Sequence, residues 1–203
     1  MAAKRPKRRK QLFKKLPFGE KGKAMQMFLL TEILIILAVG IVGYFKFPIF
    51  IPVHYVNGVP SAYGQSWFFP LTAIILSIAP ILVLIAVRLR YTLLNKYPYF
   101  INMPAFYYSE LSRLKREKRS YWVNKYFELV LGVGASIGGL MMVTMFGIYE
   151  GTVSYYFPPE ISLFMLAWIF ATIVLLFYYL RDLYIQVQNK DKVKIKLARS
   201  TKK

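Results

Sequence analysis

Met25–Phe45 reads MQMFLLTEILIILAVGIVGYF, 21 residues in which Glu32 is the only charged side chain. A helix rises about 1.5 Å per residue, so about 20 such residues cross a ~30 Å hydrocarbon core. Comparable apolar runs occupy roughly Trp67–Val87, Phe127–Tyr149 and Ile161–Leu180. Four buried helices of a soluble bundle would each carry a polar stripe, whereas these segments are apolar on all sides. The first run is too long for a signal-peptide core and lacks a small-x-small cleavage site. The fold class expected is therefore all-α, a polytopic integral membrane protein with four transmembrane helices.

Composition agrees. The chain has 203 residues, is 57% apolar, carries a formal charge of +19 and contains no cysteine. That excludes a disordered chain, a disulfide-stapled secreted module, a zinc ribbon and a thiol enzyme. Lack of cysteine does not identify a redox compartment. The charge is unevenly placed: residues 1–23 hold ten Lys and Arg, residues 88–125 nine and residues 181–203 eight. Lys46 alone lies in the first intervening loop, and residues 150–160 have none. The positive-inside rule then gives an N-in/C-in topology in the cell membrane, with both termini cytoplasmic and residues 46–66 and 150–160 outside. The same rule accounts for Lys4–Lys10 (KRPKRRK): beside a first span, such a tail sets orientation and touches anionic lipid headgroups, and no nucleic-acid partner is expected.

Five regions follow: a basic cytoplasmic tail (1–24), a helical hairpin with an outer loop at 46–66 (25–87), and a basic cytoplasmic loop (88–125). A second transmembrane hairpin (126–180) and a basic cytoplasmic tail (181–203) complete the chain. In the middle loop Asn102 precedes Met103 and Pro104, a capping residue followed by a first-turn proline. Tyr107, Leu111, Leu114 and Tyr121 then recur near one helix face, ringed by Arg113, Lys115, Arg116, Lys118 and Arg119. This pattern predicts a cytoplasmic amphipathic helix at the membrane interface, with a docking surface for an acidic partner as the alternative. The alternation Lys192-Val193-Lys194-Ile195-Lys196-Leu197 allows a short strand on a partner or a disordered tail.

Ionisable residues at membrane depth are costly and default to functional hypotheses. Glu32 lies in the first span and Glu128 near the cytoplasmic start of the third. They share a proton or a cation between helices, or else Glu128 reaches the interface toward Lys125 and Glu32 is neutral or paired with Arg181. The third span also carries Gly132, Gly134, Ala135, Ser136, Gly138 and Gly139. Gly134-x-x-x-Gly138 and Ala135-x-x-x-Gly139 put small residues on adjacent faces, where another helix packs closely, within the monomer or from another subunit. Met141, Met142 and Met145 follow. Without cysteine or histidine beside them, flexible apolar filling is the expectation rather than Cu(I) binding.

The first outer loop, FPIFIPVHYVNGVPSAYGQSW from Phe47 to Trp67, contains the protein's only histidine, His54. Its prolines keep the start extended, and Asn57-Gly58 is a turn signal. A lone histidine is no zinc site, so His54 is either a pH-sensitive polar group or a residue fixing the loop on itself. Pro48, Ile51-Pro52-x-His54, Gly58 and Tyr63-Gly64, with an apolar helix on each side, resemble the signature of the SdpI-like N-terminal membrane domain. Ser61 stands where that pattern has an acid, and Gln65-Ser66 replaces its Ser-Lys. Pro80, Tyr97-Pro98 and Asn102-x-Pro104 resemble a proline-containing stretch downstream. The resemblance covers about residues 28–87. It implies a free-standing domain of a bacterial immunity and signalling type, whose outer loop binds a peptide or lipid-like ligand, with His54, Asn57, Gly58 and Tyr63 as the binding residues, or protects the membrane.

Two other functions remain open: an accessory subunit of a larger membrane complex, with a membrane-protein partner or a homo-oligomer, and a small oligomeric transporter or channel using Glu32 and Glu128. An enzyme is not expected. The sequence has no nucleophile–base pair, no phosphate-cradling glycine loop and no metal constellation, and it calls for no cofactor.

Overall fold

The structure, a computed structural model, describes residues 13–97 and 104–200, with side chains except those of Phe106, Arg116, Glu117 and residues 190–200. The chain runs α1 (Glu20–Lys46), β1 (Phe50–Val56), β2 (Val59–Gln65), α2 (Phe68–Lys96), α3 (Ala105–Arg113), α4 (Arg116–Ser154) and α5 (Pro159–Ser200). Among the described residues four helices are long and apolar enough to cross a membrane: α1, α2, Lys118–Ser154 of α4 and Pro159–Asn189 of α5. Each outruns the apolar segment that identifies it, because helix-favouring charged residues extend its polar end. Pro159 opens α5, where the missing amide hydrogen has no intrahelical partner to lose.

Contacts divide the chain into two units. One, bearing the β-hairpin, comprises Phe18–Arg88 and Phe127–Asp182. Its apolar centre is Ile36, Ile51, Phe69, Ala73 and Met145, with Met141, Met142, Phe47 and Tyr149 packed around them. The three methionines therefore act as apolar filling. Phe47 meets Phe69 edge-on at 5.0 Å between ring centres and Tyr149 at 5.1 Å, while Lys46 Nζ donates to the Tyr149 hydroxyl at 2.9 Å. α5 is held to α4 by polar contacts: Trp168 Nε1 donates to the Ser136 carbonyl and hydroxyl, both at 3.0 Å, and Thr172 Oγ1 lies 2.5 Å from Ser136 Oγ. No residue of the most apolar 18-residue window of α5 is buried within the chain.

The other unit bears α3 and comprises the residues up to Pro17, Leu89–Tyr126 and the residues from Leu183. Here the expected amphipathic helix is divided. α3 ends at Arg113, and Arg119 Nη2 donates to the carbonyls of Ser112 and Leu114 at 2.8 and 3.0 Å, satisfying the helix end. Tyr107, Leu111 and Leu114 are buried inside the unit, so their stripe is covered by protein rather than by a bilayer interface. Tyr121 belongs to α4 and is exposed, off that stripe. Pro104 occupies the N-cap instead of the first turn. Asn102, Pro98 and the Lys4–Lys10 run lie outside the described residues. The alternating Lys192–Leu197 stretch is part of α5, not a strand.

An extended segment, Phe13–Pro17, is clamped by side chains of α2 and α4. Asn95 accepts from Phe13 N at 2.9 Å and donates to Phe13 O at 3.0 Å, and Lys14 N donates to Ser120 Oγ at 2.8 Å. Buried Arg90 donates to Leu16 O and to Asn124 Oδ1, each at 2.9 Å. Asn124 Nδ2 reaches Pro17 O at 2.8 Å, and the Tyr91 hydroxyl lies 2.8 Å from Asn124 Oδ1. Every such bond replaces one to water that burial removes.

Candidate functional site

The loop between α1 and α2 is an antiparallel β-hairpin. Asn57 (φ 51°) and Gly58 (φ 79°) both adopt left-handed backbone, the geometry of the two-residue turn that Asn-Gly favours. The pairing starts at Val56 opposite Val59 and becomes irregular around His54, which stands opposite Ala62. That irregularity sets His54 Nδ1 2.5 Å from Ser61 Oγ. The histidine thus engages the loop's own second strand while its ring stays exposed.

Three contacts hold the hairpin down. Ile51 enters the apolar centre, Phe157 N donates to Gly58 O at 2.9 Å, and the Tyr55 and Phe157 rings lie 5.7 Å apart. Gly58 is also sterically required: a Cβ there would come within 2.7 Å of the Tyr156 ring. Burial pushes the Tyr55 phenol above its ordinary range, so this residue is a neutral anchor. Phe50, Val53, Val56, Val59 and Tyr63 of the hairpin are exposed, as are His54 and Asn57. Of the four expected binding residues, His54, Asn57 and Tyr63 lie on accessible surface, and Gly58 builds the turn.

A second polar feature lies inside the same unit. Glu32 is 3% exposed, and its Oε2 has no hydrogen-bond partner among the described residues. Its carboxyl rests on the small-residue face of α4. A Cβ on Gly138 would overlap Oε2, and one on Gly139 would lie 3.3 Å from Oε1 and 3.2 Å from the Trp168 ring. A Cβ on Gly134 would meet Val83 of α2 at 2.6 Å and Leu29 of α1 at 3.2 Å. Of the packing face read from Gly134, Ala135, Gly138 and Gly139, the three glycines are thus met by helices of the same chain. Glu128 does not join Glu32. It precedes Gly138 by ten residues, about 15 Å along α4, so the two carboxyls cannot share a proton or a cation. The expected Arg181 partner is exposed, thirteen residues beyond Trp168. Among the described residues no group of three His, Cys, Asp or Glu could hold a metal ion.

Sequence reading missed Ser61 as the partner of His54, Tyr55 and Phe157 as hairpin anchors, and the Arg90–Asn124 clamp. Its one available signal was Asn124, an amide within a turn of the third apolar run.

Four long apolar helices joined in this way define a multi-pass helical membrane protein. The chain belongs to the same family as an uncharacterized protein of Archaeoglobus fulgidus, to which it is 31% identical over 175 residues, 86% of this chain and 95% of the relative. No family model matches the chain, and no solved structure does.

Proposed function

We propose that this protein is a non-enzymatic multi-pass membrane protein of the SdpI-like domain type, whose outer hairpin binds an amphipathic peptide or a lipid-like ligand. Both termini and the basic segments lie on the cytoplasmic side, against anionic headgroups. The observation that carries the reading is the hairpin's construction. Its anchors, Ile51, Tyr55 and Gly58, are fixed on the helical unit, while Phe50, Val53, Val56, Val59 and Tyr63 remain exposed on the same hairpin as the exposed His54 imidazole. A surface held rigid before binding loses little entropy on capture, and an apolar patch with one polar handle suits an amphipathic ligand.

Photocrosslinking from position 63 in intact cells tests this. A peptide or lipid adduct that is lost in His54→Ala supports it, and adducts confined to the chain itself overturn it. Sidedness is read separately. The cysteine-free background allows Asn57→Cys to be labelled by an impermeant thiol reagent from outside, and Lys203→Cys only after permeabilisation.

The exposed apolar length of α5 favours a second reading, an accessory subunit or a homo-oligomer. A crosslinker at Phe170 that captures one protein in fixed ratio supports this reading, and lipid adducts alone reject it.

A further inference from the structure

We propose that Glu32 is a proton-binding site built into the α1–α4 seam, and that the seam closes fully only while the proton is bound. The carboxyl is 3% exposed, and Oε2 faces the backbone of Gly138 without a hydrogen-bond partner among the described residues. A small-residue face would by itself be mere packing. Here it is recessed around a carboxyl oxygen, and a Cβ at either Gly138 or Gly139 would crowd it.

The surroundings select a proton over a metal ion. On α5, Trp168 faces Gly139 as the carboxyl does, and its Nε1 is committed to Ser136, whose hydroxyl is itself engaged with Thr172. Among the described residues of these helices no charged group stands level with the carboxyl. On α4 the neighbours are Glu128, ten residues before Gly138, with Tyr149 and Glu150 eleven and twelve after it. On α5 they are Glu160, eight before Trp168, with Tyr178, Tyr179 and Arg181 ten, eleven and thirteen after it. α1 has Lys23 and Tyr44, nine before and twelve after Glu32, and α2 has none between Phe68 and Val87. All are displaced by about 12 Å or more along their helices. Among the described residues a carboxylate here has no counter-charge, and no group of three His, Cys, Asp or Glu could hold a metal ion. Loss of the proton must admit water to the seam or part the two helices.

The test uses the full chain in lipid nanodiscs. Infrared difference spectra across a pH series follow the carbonyl band of the protonated carboxyl, assigned by its loss in Glu32→Gln. Spin labels on Phe45→Cys and Val153→Cys, both exposed, report the separation of α1 and α4 in otherwise native protein. The band should fall about tenfold per pH unit beyond its midpoint, with the short-distance population falling in step. In Glu32→Gln the distance should be independent of pH. A band that titrates while the distance stays fixed overturns the coupling. No band assignable to Glu32, or a band displaced by sodium at constant pH, overturns the proton site.

Discussion

The carboxyl of Glu32 occupies the space that a Cβ on Gly138 would need, so a long side chain on α1 and a missing one on α4 form a single fitted contact. Steric fit of this kind matters most between membrane helices, where apolar surface gains little by leaving lipid for protein. The contact also accounts for a costly acid beside a glycine face: the missing side chain on α4 makes the room that the carboxyl fills.

Gly138→Ala should therefore destabilise the protein by about 1–3 kcal/mol, the usual cost of forcing atoms into a filled site. Gly132→Ala is the internal control, since a Cβ there meets nothing within 4 Å. Thermal unfolding of both variants in one detergent separates fit from helix propensity. Equal losses at the two positions would count against the contact. The double variant Glu32→Ala/Gly138→Ala should recover part of the loss, because the new methyl then has room.

At the hairpin, Gly58→Ala combines two penalties. Its φ of 79° is strained for alanine, and the new Cβ would stand 2.7 Å from the Tyr156 ring and 3.0 Å from Phe157 O. The strain alone costs about 1–3 kcal/mol. The tip should detach while the helices persist, so amide exchange should quicken over residues 50–65 and remain slow in α1 and α2. A variant with unchanged exchange in the hairpin would show that the turn does not depend on this glycine.

Asn124→Ala removes the amide that binds Pro17 O, Arg90 Nε and the Tyr91 hydroxyl together. Each buried partner left unsatisfied costs about 1–3 kcal/mol, so the clamp on Phe13–Pro17 should open. Protease cleavage between Phe13 and Pro17 should then become fast. Lys125→Ala, one residue away, should not produce this effect.

The four spans were legible because a run of about 20 apolar residues has few other uses. The hairpin was legible only at its turn: Pro52 and the irregular pairing at His54 break the strict alternation that marks a strand. The break after Arg113 was hidden because Lys-Arg-Glu-Lys (residues 115–118) favours helix, and what fixes the end is the Arg119 side chain reaching back to two carbonyls. Glu32 and Gly138 were each conspicuous. Their pairing depends on the relative rotation and height of two helices, which one sequence does not encode locally. Arg90 read as an orienting charge, and only the folded course of Leu16 turns it into a clamp.

Tyr107 offers a test by pH. Burial, reinforced by the Tyr126 phenol beside it, pushes the Tyr107 phenol well above its ordinary value of 10.0. The folded chain therefore keeps this proton when the unfolded chain loses it. Its contribution to stability is complete below about pH 10 and is lost as pH rises above that, by about 1.4 kcal/mol per unit until the folded phenol also ionises. Tyr107→Phe removes that slope. It also costs about 1 kcal/mol at neutral pH, because the hydroxyl donates to Trp122 O at 3.0 Å. The two effects oppose each other, so the variant should be the less stable protein at pH 8 and the more stable one at pH 12. Amide exchange of α3 across that range measures both, and curves that stay parallel would show that the buried phenol is not the group responsible.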